Sequence, residues 1–175
     1  NLAAEYPSDY SYREAFKGMM SQLSDIAQTQ FEAAQYERAG LHYEIIKDFE
    51  DPMNLNTWYR IAMCHYKDGE YRKAVQSFDY ILLRDRQNIP LLLQIAGIYD
   101  NDLKRPDLAL PYYDEAKTIF KKFQSTSYGE AFELIMPVDE TPDIYYELFL
   151  KRADLNLRLE NYDEAITDCN WSVLL

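Results

Sequence analysis

Glycine is scarce in this 175-residue chain, at five positions, and cysteine scarcer still, at two. So few glycines suit helices better than strands joined by tight turns. Cys64 and Cys169 lie far apart and neither belongs to a Cys-x-x-Cys pair. A disulfide framework is therefore not expected, and a reducing, intracellular compartment is the default. The two histidines, His42 and His65, have no cysteine or carboxylate partners at ligand spacing. Each reads as a packed or half-exposed helix residue, so no metal and no cofactor are expected. No apolar run approaches the ~20 residues of a membrane span, and no signal-peptide pattern occurs. There is no phosphate-binding glycine loop and no Gly-x-Ser-x-Gly elbow, which leaves an enzyme reading and a small-molecule substrate without a motif. No Lys/Arg run is longer than the pairs Lys121-Lys122 or Lys151-Arg152. With 18 basic against 30 acidic residues, the net charge is −12. That balance argues against direct contact with a nucleic-acid backbone or an anionic membrane. It reads first as solubility, and more sharply as a preference for basic partner segments.

What the chain does have is apolar and aromatic mass: 47% hydrophobic residues and sixteen tyrosines, too much for a disordered tail. Tyrosine brings apolar area with a polar tip, suiting half-buried helix faces and protein interfaces alike. Four short stretches also resemble one another. They are Tyr36-Glu37-Arg38-Ala39, Tyr71-Arg72-Lys73-Ala74, Pro106-Asp107-Leu108-Ala109 and Tyr162-Asp163-Glu164-Ala165. Ala39 to Ala74 and Ala74 to Ala109 are both steps of 35 residues, whereas Ala109 to Ala165 is 56. Self-similarity at such a period marks a stacked-repeat architecture. Repeat solenoids act through extended concave surfaces more often than through a catalytic pocket.

Helical spacing fills in each unit. Residues 1–19 open with a turn-like Tyr6-Pro7-Ser8-Asp9; Asp9 or Ser11 is a candidate cap for a helix through Tyr12, Phe16 and Met19, the remnant of an upstream unit or a capping helix. Unit one, 20–53, runs through Leu23, Ile26, Ala27 and Phe31, breaks at Ala34-Gln35, and returns through Ala39, Tyr43 and Ile46 to a stop at Asp51-Pro52. Unit two, 54–88, has Asn54 as cap, Trp58, Ile61 and Ala62 outward, a turn at Asp68-Gly69, and Ala74, Phe78 and Ile81 on the return. Unit three, 89–123, starts after Asn88 and carries a turn, Asn101 to Pro106, one residue longer. Residues 124–142 break the rhythm. They read either as a plain linker or as a segment packing Phe132, Leu134, Ile135 and Met136 onto the array. The fourth unit occupies 143–175, with Arg152 at a normally apolar position. The sequon Asn170-Trp171-Ser172 falls in this unit's amphipathic helix and reads as chance. The chain starts without methionine and stops in mid-helix, which reads as a fragment of something longer.

These units resemble the tetratricopeptide repeat, a helix-turn-helix of about 34 residues. The clearest copy, Leu55 to Asn88, has Trp58 at the repeat's fourth position, Ile61 and Ala62 at the seventh and eighth, Gly69 at the turn, Ala74 at the twentieth and Phe78 at the twenty-fourth. The resemblance implies an all-α, right-handed superhelical solenoid of antiparallel helix pairs, about four repeats with an insertion between the third and fourth.

It also implies a concave groove lined by the first helix of each pair. Carried over residue by residue, that groove takes Ser24, Gln28, Phe31 and Glu32 from unit one, Asn56, Tyr59, Met63, Tyr66 and Lys67 from unit two, and Leu93, Asp100 and Asn101 from unit three. The family's clamp for acidic chaperone tails is not built. Its positions read Ser24, Gln28, Arg60, Pro90 and Gln94, or, one unit on, Tyr59, Met63, Gln94, Glu147 and Lys151. The function implied is a protein–protein interaction scaffold holding a partner peptide or helix, in a multi-subunit and possibly transcription-related assembly, with the nucleus slightly favoured over the cytoplasm. The alternative is a regulatory repeat domain attached to an enzyme, or a co-chaperone lacking the acidic-tail clamp.

Overall fold

A computed structural model of the chain describes residues 10–50, 54–126 and 143–175. They form eight α-helices and one π-helical turn, with no strand among the described residues. The helices are α1 (Tyr10–Glu32), α2 (Tyr36–Phe49), α3 (Leu55–Lys67), α4 (Tyr71–Leu82), α5 (Ile89–Gly97), α6 (Pro106–Thr126), α7 (Asp143–Arg158) and α8 (Tyr162–Leu174). The π-helical turn, Ile98–Asp102, continues α5. The fold is an all-α helical repeat. It divides into two compact parts, Asn1–Ile81 and Leu82–Leu175, each taken by itself below.

Small residues set how closely each pair of helices crosses. Ala27 and Ala39, Ala62 and Ala74, Ala96 and Ala109, and Ala153 and Ala165 are all buried. In the first part Ala27, Ala39, Tyr43, Ile46, Ile61 and Cys64 form one core cluster. Gly40 of α2 belongs to the same close approach: a methyl group there would stand 3.4 Å from Cys64 Cβ. In the second part the core holds Leu92, Ala96, Ala109, Tyr113, Phe120, Leu148 and Phe149. Phe120 lies edge-on to Phe149 at 5.2 Å and to Trp171 at 5.8 Å, aromatic contacts that add to the area they bury.

Each turn within a pair closes in the same way. The second residue before the return helix is left-handed: Ala34 (φ 58°), Gly69 (φ 80°), Lys104 (φ 54°) and Glu160 (φ 62°). The next amide then reaches back to an orphan carbonyl of the first helix, Gln35 to Gln30, Glu70 to His65 and Asn161 to Asn156, each at 2.8 Å. These are Schellman caps, which satisfy carbonyls that the helix end leaves bare. In the third pair the equivalent bond runs from Arg105 to Tyr99 and spans one more residue. Ala96 to Ala109 is likewise 13 residues, where Ala27–Ala39, Ala62–Ala74 and Ala153–Ala165 are each 12. The extra residue expected in the turn is instead absorbed inside the helix as a π-turn. The return helix resumes in phase.

Other boundaries also differ from the expected ones. Tyr10–Glu32 is one uninterrupted helix, so no break near residue 20 separates an upstream element from the first pair. Ser11 lies inside that helix and is not its cap. Asn54 and Asn88 do cap α3 and α5, accepting from the amides of Asn56 and Leu91. The Tyr6–Asp9 turn, the Asp51-Pro52 stop and the packing of Phe132, Leu134, Ile135 and Met136 lie outside the described residues.

The 21-residue excess before the fourth pair does not keep α7 away from α6. The two helices pack directly, and a buried charge cluster joins them to α8. Asp168, fully buried, accepts from Lys117 Nζ at 2.8 Å, from Arg152 Nη1 and from Asn156 Nδ2 at 3.4 Å. Glu164 accepts from Lys117 and Arg152 at 3.0 Å each, and Asp114 accepts from Arg152 Nε at 2.7 Å. Arg152 thus occupies its apolar repeat position by arriving with its counter-ions. Its desolvation is more than offset by the hydrogen bonds it donates to Asp114 and Glu164 and by the charge of Asp168, so its proton is held more tightly than usual.

Two sets of substitutions test these devices by urea unfolding. Glu160→Gly removes a side chain from a left-handed position and is expected to stabilise by up to about 1 kcal/mol, while Gly69→Ala costs a similar ~1 kcal/mol. Asp168→Ala strands two buried cations and is expected to cost about 3–5 kcal/mol, far more than Asp163→Ala on the exposed side of the same helix.

Candidate functional site

The first helices of pairs one and two, with α2 between them, enclose a cavity of about 540 Å³ lined by Gln28, Phe31, Tyr43, Asn56, Tyr59, Arg60 and Met63. Periodicity explains the assembly. Residues 56, 59, 60 and 63 recur on one face of α3, and 28 and 31 on one face of α1. The wall is apolar through Phe31, Tyr59 and Met63. Tyr59 is 43% exposed while its ring lies 5.7 Å from that of the core residue Phe78, which anchors it on the core side.

The floor is polar and tied together. Arg60 Nη1 donates to Gln28 Oε1 and, at 3.1 Å, to Tyr43 Oη. Tyr43 Oη donates to Gln28 Oε1 at 3.2 Å, and Gln28 Nε2 donates to Glu32 Oε1 at 2.6 Å. The Arg60 guanidinium also sits 5.5 Å from the centre of the Tyr43 ring, within cation–π range. Burial raises the Tyr43 phenol above its ordinary pKa, against the lowering pull of Arg60. The phenol stays neutral and serves as a hydrogen-bonding group. Such an arrangement has no nucleophile paired with a base; it offers an apolar slot with directed donors and acceptors at one side. That combination suits binding a side chain or short segment.

Gln28, Asn56, Tyr59 and Met63, all expected from the sequence, come together at this cavity, and Glu32 stands behind Gln28. Tyr66 and Lys67 lie further along α3, Tyr66 with its ring 5.7 Å from Tyr71 and Lys67 with its ammonium 6.0 Å from the Tyr66 ring. Two other expected groove residues do not line this cavity. Leu93 is 3% exposed inside the core of the second part, because α5 is apolar nearly all round and buries this side too. Asp100 is committed to a bidentate pair with Arg158, at 2.9 Å to Oδ1 and 2.5 Å to Oδ2. Asn101 is exposed on the π-turn.

Arg60 and Tyr43 were not expected as site residues. Arg60 has the signal needed, being one step from Tyr59 and three from Met63 on the same helix face. Tyr43 has none, since its position in the repeat is that of a buried core residue. A second cavity of about 200 Å³ opens elsewhere in the first part, between α2 and the α3–α4 turn, with Glu37, Glu44, Asp68 and Glu70 around His65 and Lys73. Lys73, and then His65, hydrogen-bond Glu70 and hold its carboxyl below the usual range. The acidity of the chain is expressed there, while the single formal charge lining the larger cavity is positive. Among the described residues no group of three or more histidine, cysteine or acidic side chains is placed to hold a metal ion. No described helix is long and apolar enough to cross a membrane.

Residues 57–85, from α3 through α4, match the family model of the tetratricopeptide repeat. The like turns and alanine crossings of the other described pairs repeat the same helix-turn-helix fold. The chain is 29% identical over 92 residues to transcription factor tau subunit sfc4 of Schizosaccharomyces pombe, a match covering 53% of this chain and 8% of that protein. The chain therefore spans about 8% of the length of the curated relative it matches. Among solved structures it is similar to SycD of Yersinia enterocolitica, a type III secretion chaperone in complex with a peptide of the translocator YopD, at 14% identity over 81% of this chain and 95% of that one, TM-score 0.58. It is also similar to a tetratricopeptide repeat protein of Parabacteroides merdae at 15% identity, over 98% of this chain and 68% of that one, TM-score 0.51. At these identities the structural likeness speaks for the fold.

The two cysteines provide a check on the first part. Cys64 is buried against Gly40, and burial pushes its thiol up to about 11, with Arg60 pulling down and Asp68 pushing up by less. Cys169 is exposed on α8. Alkylation by iodoacetamide at neutral pH is expected to show one fast site, abolished by Cys169→Ala, and one site protected until unfolding. Because the folded thiol holds its proton longer than the unfolded one, stability should fall as pH rises from about 9 towards 11. Cys64→Ala should flatten that fall.

Proposed function

We propose that this chain is a protein-interaction scaffold that holds a segment of a partner protein in the groove formed by α1, α2 and α3. The single observation that carries this reading is the cavity itself. Phe31, Tyr59 and Met63 provide an anchor slot beside the fixed donors and acceptors of Gln28, Asn56 and Arg60. Such a slot accepts one large apolar side chain, while amides and the guanidinium orient the neighbouring backbone or a polar side chain. The segment can be an amphipathic helix or an extended peptide, since either presents an isolated anchor. The chain acts by binding rather than by catalysis.

The likeness to a secretion chaperone solved with a translocator peptide supports a peptide ligand, because that protein carries one on the same fold. The likeness to a transcription factor tau subunit supports a place in a nuclear transcription assembly. A basic character in the partner would be met at the acidic cavity around Glu37, Glu44 and Asp68, and not in the groove.

Affinity capture with the whole chain as bait tests the groove. Tyr59→Ala/Met63→Ala, on a half-exposed helix face, should lose the partners that the unaltered chain retains, while Leu83→Ala, at an exposed position just after α4, should keep them. An identical set of captured proteins for all three baits would sink the groove assignment.

A further inference from the structure

The cavity walled by α1 and α3 carries one formal charge, and no carboxylate of the described residues answers it. Among its lining residues only Arg60 is charged. Arg60 Nη1 donates to two neutral acceptors, Gln28 Oε1 and, at 3.1 Å, Tyr43 Oη. Those two bonds use both hydrogens on Nη1. Nε and Nη2 make no bond to any described residue. Glu32, the carboxylate attached to this network, accepts from Gln28 Nε2 at 2.6 Å instead. Other arginines show what the same group does elsewhere in the chain. Arg105, Arg152 and Arg158 each donate to a carboxylate, that of Asp107, Asp114 and Asp100 respectively.

The guanidinium is also held in place. Gln28 Oε1 accepts from both Arg60 and Tyr43, which fills its two lone pairs and fixes the amide. Tyr43 is 2% exposed, and the centre of its ring lies 5.5 Å from the guanidinium. A group positioned in advance loses less freedom when a ligand arrives. The edge left over, Nε with Nη2, is the planar fork that grips both oxygens of a carboxylate at once. Phe31, Tyr59 and Met63 line the same cavity, so an apolar anchor and a cationic fork stand side by side.

We propose that the segment held in this groove carries an aspartate or glutamate within a few residues of its apolar anchor. The anchor fills the slot of Phe31, Tyr59 and Met63, and the carboxylate takes the free edge of Arg60. This rests on the groove being the binding site, and it adds what selects among segments that share the same anchor. The net charge of −12 does not oppose it. At physiological salt, exposed charges more than about 8 Å apart are largely screened, so the guanidinium at the contact decides.

Fluorescence anisotropy on the whole chain tests this with a library of short amidated peptides. Each holds one leucine, phenylalanine or tryptophan, flanked at varied spacing by aspartate, asparagine or lysine. The tightest binders should carry aspartate, and replacing it by asparagine should weaken binding about tenfold, the scale of a charge-assisted hydrogen bond. In Arg60→Gln the aspartate and asparagine peptides should bind alike, and Arg60→Glu should turn the preference to lysine. Tyr59→Ala/Met63→Ala should release all the peptides. Peptides that depend on Tyr59 and Met63 but bind equally well with aspartate or asparagine overturn the proposal and leave the groove standing. So does an aspartate preference that survives Arg60→Gln, or binding that appears only in copies with a free C-terminal carboxylate. Binding indifferent to Tyr59 and Met63, or none by any peptide, removes the groove and this proposal with it.

Discussion

Everything in this chain depends on the fact that a pair of amphipathic helices joined by a three-residue turn cannot bury its own apolar surface. Alanines at the crossing bring the two helices close, and Gly40 lets α2 come closer still to α3. Within each part the larger residues find cover on the neighbouring pair. Tyr43 is the clearest example. It belongs to the first pair by sequence, is buried with Ile61 of the second, and carries on its far side the hydroxyl that shapes the groove floor. Core and binding surface are two ends of the same side chain.

Much of this is legible from spacing. The alanines, the caps at Asn54 and Asn88 and the meeting of Gln28, Asn56, Tyr59 and Met63 at one cavity follow from helical periodicity applied to a repeat. The misses have physical reasons. Leu93 sits at a groove position by count, but α5 is apolar except at Gln94, so little in its local pattern tells groove from core. Asp100 fits a concave face by count, yet Arg158, 58 residues later, claims it, and no local pattern shows so distant a pairing. Ala34, Lys104 and Glu160 hide left-handed positions because none is the glycine that normally announces one.

The π-turn at Ile98–Asp102 belongs with these. One extra residue looks like a longer loop when only the sequence is counted. Absorbing it inside the helix keeps the Schellman-type closure and the phase of α6, at the expense of regular helical hydrogen bonding over a single turn. The longer excess before α7 is handled differently: it leaves the α6–α7 packing intact, with Phe120 against Phe149 and Asp114 against Arg152. Both irregularities are accommodated without disturbing the crossing alanines.

Arg152 has a consequence of another kind. In the second and third pairs its place is filled by isoleucine, and any isoleucine face could in principle meet any tyrosine or phenylalanine face. Arginine cannot, because only Asp114 on α6 and the Asp168 and Glu164 that accompany it on α8 make its burial tolerable. The junction between the third and fourth pairs is therefore keyed. At that junction the neighbour of the fourth pair is written into the surfaces as well as into the polypeptide linking them, because a pair lacking the Asp114 carboxylate would leave Arg152 without one of its partners.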